Sequence, residues 1–279
     1  MNTAMPTAVR ALPARYYTDM EIYARVRECV FFREWQFACH LSRVANPGDF
    51  FTFSILDQDL AVVHGRDGKL RCFYNVCQHR AHTLLQGSGN KRLLVCPYHA
   101  WSYELDGQLR KAPGTDDLPN FNASTICLTE VRLDTFCGFV FVNLNPTAPT
   151  LTDTFPGVEA AVRALCPDID TRTFAHETQA RERCNWLVAV DNYNECYHCK
   201  VAHPAFASGV IDSGSYNIAP IDGIRCLRHS ARAQSGPSAW YDTSGSDYGA
   251  FFLWPAFSLQ IYPSGLVNTY QWRPLTVGS

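Results

Sequence analysis

Between Asn75 and Tyr103 the chain reads Asn-Val-Cys77-Gln-His79-Arg80, continues to Val95, and then gives Cys96-Pro-Tyr-His99-Ala-Trp-Ser-Tyr. Each Cys/His pair is spaced so that one tight loop presents both side chains to one metal centre, so two loops must meet there. Thiolate pairs hold one iron of a two-iron, two-sulfide cluster, and two histidines can replace two cysteines on the other iron. That exchange raises the reduction potential into a range useful for passing single electrons. The same four residues also make up a structural zinc set. A zinc finger pairs Cys with Cys and His with His along the chain, whereas each loop here supplies one of each, which favours the cluster.

Cys77-x-His79-Arg80, followed by Cys96-x-Tyr-His99 and Trp101, resembles the Rieske domain of non-haem iron oxygenases. Rieske proteins of respiratory chains add two cysteines that link the loops. His82 and Tyr98 stand at those positions here, so the resemblance is to the oxygenase type. It implies a 2Fe-2S Rieske cluster held by Cys77, His79, Cys96 and His99.

A second constellation begins at Asn185-Trp-Leu-Val-Ala-Val-Asp191-Asn-Tyr-Asn-Glu195-Cys-Tyr-His198 and ends at Cys199-Lys-Val-Ala-His203-Pro204. Its apolar spacing predicts a helix with both histidines at its end. Alone, such a pair fits an ordinary core or surface position. With Cys196 and Cys199 it could also form a compact zinc set, although so short a loop would have to fold back sharply. Coming after the first motif, Glu195-x-Tyr-His198-x4-His203 resembles the mononuclear iron segment of Rieske oxygenase α subunits. The resemblance implies that His198 and His203, with a later aspartate, hold Fe(II) in a 2-His-1-carboxylate triad that leaves positions open for O2 and substrate. It also implies a homotrimer in which Glu195 bridges His198 and a Rieske histidine of the next subunit, with Asp191 a support residue near the iron. A carboxylate so placed fixes imidazole orientation and connects two centres too far apart within one subunit. A helix-face carboxylate with no partner is the plain alternative.

Glu at position 195, with Asn-Val-Cys-Gln-His-Arg-Ala-His and Glu-Cys-Tyr-His-Cys, most resembles the choline, glycine-betaine, stachydrine and carnitine monooxygenases. Such enzymes hydroxylate a carbon next to quaternary nitrogen, often ending in N-demethylation, with electrons from NAD(P)H delivered by a reductase. Ten aromatics fall between Trp240 and Trp272. Their faces attract quaternary ammonium, yet aromatics are also ordinary core residues and most of the ten read that way. An aromatic ring-hydroxylating dioxygenase, a Rieske electron carrier without mononuclear iron and a zinc-stabilised interaction protein are the alternatives. In the resembled family the third iron ligand lies well beyond the strand region, and this chain ends at Ser279. Asp212, Asp222, Asp242 and Asp247 match no family motif. The resemblance therefore implies a C-terminally truncated oxygenase with weak mononuclear iron and little turnover.

At 279 residues the chain exceeds a typical single domain,. We expect an α+β protein: an N-terminal all-β Rieske domain followed by an incomplete helix-grip-like catalytic domain with an antiparallel sheet. The expected divisions are a helical segment at 1–36, a Rieske domain at 37–150 and a mononuclear iron domain at 151–279, with Pro-rich Asn145 to Thr150 as the junction. Thr18-Asp-Met-Glu21 has the form of a capping box for a helix over 19–33. A formal net charge of −2 gives no reason to expect nucleic acid or an anionic membrane as partner,. The first ten residues lack a secretory signal, which points to the cytoplasm and to reduced cysteines. Cys29, Cys39, Cys72, Cys127, Cys137, Cys166, Cys184 and Cys226 read as buried, inert thiols.

Overall fold

Aromatic and β-branched runs between residues 36 and 143 form strands in the computed structural model, which describes residues 11–221, 223, 225–241 and 246–279. The N-terminal residues used for the localisation argument, and Asp222 and Asp242, lie outside them. The strands are β1 (Gln36–His40), β2 (Asp49–Ile55), β3 (Gln58–His64), β4 (Leu70–Tyr74), β5 (Ser88–Asn90), β6 (Leu94–Val95), β7 (Ser102–Tyr103), β8 (Leu109–Lys111), β9 (Glu130–Phe136) and β10 (Phe139–Asn143). Seven make one antiparallel sheet, ordered β1-β10-β9-β4-β3-β2-β5, while β6-β7-β8 form a small separate sheet. Alternation along β3 divides two cores. Leu60 and Val62 face a cluster with Phe31, Val140, Trp186 and Phe252, whereas Ala61 and Val63 face Cys77, Cys96 and Tyr103 under the cluster loops,. The turn at Asp106-Gly107 requires its glycine: φ is +90°, and a Cβ there would lie 2.7 Å from the Phe73 ring,.

The chain begins with α1 (Arg15–Thr18) and α2 (Met20–Val26), continued by a wider π-helical turn over Arg27–Phe31. The expected single helix over 19–33 is thus two pieces, preceded by the separate turn of α1, and its cap is not Thr18. Asp19 accepts from the backbone N–H of Glu21 and Ile22, while Thr18 turns back to the carbonyl of Ala14,.

After β10 come α3 (Leu151–Thr154), α4 (Val158–Leu165), α5 (Trp186–Tyr193) and α6 (Cys199–Ala202), then β11 (Asn217–Pro220), β12 (Cys226–Ala231), β13 (Tyr248–Leu253), β14 (Phe257–Ile261) and β15 (Val267–Gln271). These five strands pair in sequence order as an antiparallel sheet. One face, with Phe251, Leu253, Leu259 and Ile261, packs on Val158 and Val162 of α4. Phe252, from the other face, joins Trp186 and Val190 of α5. The two sheets share a core: Phe141 and Phe257 lie with ring centroids 5.1 Å apart. The Pro-rich junction is correspondingly held down, with Trp35 Nε1–H donating to the Pro149 carbonyl at 3.1 Å.

The cysteine expectation needs correction. Cys39, Cys72, Cys137, Cys166 and Cys226 are buried, and burial pushes the Cys39 and Cys226 thiols up to about 12,. Cys29 and Cys127 are exposed and Cys184 is half-buried. Cys196 and Cys199 are joined in a disulfide rather than reduced.

Candidate functional site

The two cluster loops repeat one backbone pattern. Cys77 N–H donates to the His82 carbonyl and Ala81 N–H returns to the Cys77 carbonyl; Cys96 N–H donates to Trp101 and Ala100 N–H returns to Cys96. Ala81 and Ala100 sit at matching left-handed positions, φ 53° and 56°. The sulfurs point inward and the imidazoles outward: Cys77 and Cys96 are buried, His79 and His99 exposed. The two imidazole centroids are 4.9 Å apart, and His79 stacks on Trp101 at 4.8 Å.

Tyr103, fully buried on β7, accepts from the Gln78 N–H at 3.0 Å and lies 3.2 Å from Cys77 Sγ, so its own proton is free for the sulfur. Burial raises the Cys77 thiol above its ordinary value, with the Tyr103 bond acting the other way. Partial desolvation, then neighbouring His99 and Arg80, holds the exposed His79 ring below its ordinary value. Among the described residues, no three His, Cys, Asp or Glu side chains are grouped to hold one metal ion. A two-iron cluster takes two protein ligands at each iron, and here an inward thiolate pair and an outward imidazole pair offer them,. The four side chains fit the cluster.

In the second constellation the predicted helix stops early. Asn185 caps α5 by accepting from Leu187 N–H, and the helix ends at Tyr193. In an unbroken helix, residues five apart point about 140° away from each other. His198 and His203 instead bracket the single turn of α6, with His203 out of helical geometry at φ −127° and ψ 55°. Their ring centroids come within 5.1 Å. Glu195 Oε1 lies 2.6 Å from His198 Nδ1, and its other oxygen accepts from Tyr197 N–H at 2.8 Å. The His198 bond chiefly holds the Glu195 carboxyl below its usual range. A carboxylate can only accept, so His198 carries its proton on Nδ1 and leaves Nε2 free to ligate.

The Cys196–Cys199 disulfide removes both thiolates that the compact zinc alternative needed. Asp191 accepts from Tyr17 Oη at 2.8 Å, tying α5 to the N-terminal segment rather than bracing either histidine. Asp212 pairs with Arg232, and Asp247 accepts from Ala233 N–H. The described residues thus bring together the two histidines of the expected triad and their carboxylate brace. The ten aromatics separate as well. Phe251 and Phe257 are core, and Trp272 packs 6.0 Å from Tyr270.

Sequence reasoning missed Tyr103, whose role follows from its contact with Cys77. It also missed the shared loop pattern, which was visible in the alanine four residues after each ligand cysteine. Two loops shaped for a two-iron cluster and a carboxylate-braced histidine pair beside a second sheet define a class, the Rieske non-haem iron oxygenases.

Comparison with known proteins agrees. Residues 34–122 match the Rieske [2Fe-2S] domain and residues 169–279 match the ring hydroxylating alpha subunit catalytic domain. The chain is 38% identical over 263 residues to the carnitine monooxygenase oxygenase subunit of Escherichia coli K12, covering 93% of this chain and 70% of that protein. It is 30% identical to the chloroplastic choline monooxygenase of Beta vulgaris, covering 92% of this chain and 58% of that protein. The structure of a quaternary ammonium Rieske monooxygenase linked to carnitine oxidation by gut microbiota superposes with a TM-score of 0.89 at 30% identity, over 95% of this chain and 72% of that one. Naphthalene 1,2-dioxygenase from Rhodococcus, at 20% identity and a TM-score of 0.78, shares the fold. The chain belongs to the Rieske ring-hydroxylating oxygenase α-subunit family, whose members are oxidoreductases. The expectation of an inactive oxygenase finds no support in the fold or in these comparisons.

Proposed function

We propose that the chain is the terminal oxygenase component of a Rieske monooxygenase that hydroxylates or N-demethylates a small quaternary ammonium compound. The observation that carries this reading is the 2.6 Å Glu195–His198 contact in a chain that also holds a complete set of cluster ligands. Cys77, His79, Cys96 and His99 hold the 2Fe-2S cluster, and His198 and His203 contribute to the mononuclear Fe(II) site. When bound, the cluster supplies single electrons and the iron supplies the site for O2 activation.

The chain's own residues prepare both centres. Tyr103 donates toward the Cys77 sulfur and favours the electron-rich reduced state. Glu195 fixes the His198 ring and its tautomer. Within this chain the partners of Glu195 among the described residues are His198 and Tyr197, and neither is a cluster histidine. Its carboxylate is 48% exposed, open to an approaching imidazole. We assign that imidazole to His99 of the partner subunit in a homotrimer. The relative described for inter-subunit electron transfer supports this arrangement.

Electrons come from NAD(P)H through a reductase. Residues 37–150 and 151–279, after a segment at 1–36, form the working units, and we place the protein in the cytoplasm; no helix among the described residues is long and apolar enough to cross a membrane. Relatives named for carnitine and choline support the substrate class. The chain, a reductase and NAD(P)H should consume O2 and form product with carnitine, choline or glycine betaine. Oxidation of naphthalene with no binding of any betaine would refute the substrate assignment.

A further inference from the structure

Five histidines, His40, His64, His82, His176 and His229, belong to neither metal constellation, and His229 is the most buried of them. His229 on β12 is 1% exposed. Its Nδ1 lies 2.6 Å from Tyr216 Oη, and its Nε2 lies 3.2 Å from Asn194 Oδ1. Asn194 in turn donates through Nδ2 to the Val190 carbonyl at 3.0 Å.

The protons in this chain of contacts follow from its far end. A backbone carbonyl only accepts, so the Asn194 amide must turn its NH2 toward Val190 and its oxygen toward His229. His229 must then donate from Nε2. As a neutral imidazole it accepts at Nδ1, so the Tyr216 hydroxyl donates. Every buried donor meets an acceptor only in this arrangement. Burial depresses His229 to about 4, which keeps the ring neutral.

Asn194 immediately precedes Glu195 and caps the C-terminus of α5, donating its backbone N–H to Val190 as well. Its neighbour Tyr193 meets Ser258 of β14 through the hydroxyl. Two consecutive residues therefore fasten the end of α5 to two different strands, just before the chain turns into Glu195–His198.

We propose that His229 and Tyr216 are positioning residues for the proposed electron bridge. They set the C-terminus of α5, and with it the Glu195 carboxylate, at the place where it meets His198. The inference rests on the assignment of Glu195 as the bridge.

The test compares Glu195→Gln, His229→Leu, His229→Gln and Tyr216→Phe in the assembled, cluster-loaded protein. For each, thermal midpoint, cluster spectrum, iron content and the rate of cluster reoxidation by O2 with substrate present are measured in a single turnover. Loss of a supporting partner of this kind costs about 10- to 100-fold. We expect His229→Leu to slow reoxidation by about that factor, and Tyr216→Phe by less, with cluster spectrum unchanged. His229→Gln, which keeps a donor for Asn194, should recover part of the rate. If Glu195→Gln slows reoxidation but Tyr216→Phe and His229→Leu react at the normal rate, the positioning role is overturned. The same holds if His229→Leu and His229→Gln slow it equally at equal thermal midpoint. If Glu195→Gln itself reacts normally, the bridge assignment fails and takes this inference with it.

Discussion

Each cluster loop closes on itself through paired backbone hydrogen bonds and buries its cysteine, whereas the iron segment hangs two histidines on a single helical turn with one carboxylate beside them. In the first region the ligand geometry is local, since residues within six of each cysteine complete the loop. In the second it is borrowed. Asn194, Tyr193 and Asp191 tie α5 to β12, β14 and the N-terminal segment, respectively. A locally closed site should be lost outright when a ligand is changed, while a borrowed one should respond by degrees to changes at a distance.

The sharpest break comes from the ligands. Cys77→Ser or Cys96→Ser should abolish the cluster's visible absorption, while His198→Ala should leave it intact; a spectrum of each purified variant decides. Next in size is the shared core. Phe141→Ala opens a cavity between the two sheets and should cost about 3–5 kcal/mol. Because Phe141 packs on Phe257, both regions should unfold in one transition at a lowered midpoint. Two well-separated transitions by circular dichroism and cluster absorbance would show that the regions are energetically independent.

Smaller effects probe the link between the centres. Glu195→Gln should keep cluster and iron yet slow electron passage about 10- to 100-fold, read as cluster reoxidation in a single turnover. Tyr103→Phe should be the mildest. A hydrogen bond of about 1 kcal/mol to the sulfur corresponds to about 40 mV for a one-electron couple. It favours the more electron-rich reduced cluster, so its removal should lower the potential, measurable by redox titration. A potential unchanged or raised would mean that the Tyr103 proton is not directed at Cys77.

The candidate cluster loops were legible because the spacing of metal ligands is a short-range property, written within six residues of each cysteine. Gly68, Gly107 and Gly265, each at positive φ in a turn between two paired strands, are short-range signals of the same kind,. The helix at 19–33 misled because its apolar spacing continues through Val30, while the backbone widens at Arg27. β12 went unread: Cys226-Leu-Arg-His-Ser-Ala carries Arg228, His229 and Ser230 in place of a plain apolar alternation. His229 was therefore passed over, since its value lies in Tyr216, thirteen residues upstream, and Asn194, thirty-five upstream. The disulfide has a different cause: a reducing compartment and a zinc set both predict free thiols at Cys196 and Cys199, whereas the tight turn into α6 brings the two sulfurs together. Tyr103 is a long-range partner, twenty-six residues from Cys77, and no local pattern marks it.

Both regions take their roles from the proposal that the loops at Cys77 and Cys96 hold a two-iron electron-transfer cluster and not a single structural ion. Electron spin resonance of the purified chain, before and after anaerobic reduction and with metal and sulfide counted on the same sample, tests it most directly. We expect a red-brown protein with two irons and two labile sulfides at the loops, and a Rieske-type signal that appears on reduction. A colourless protein with stoichiometric zinc and no signal would contradict it.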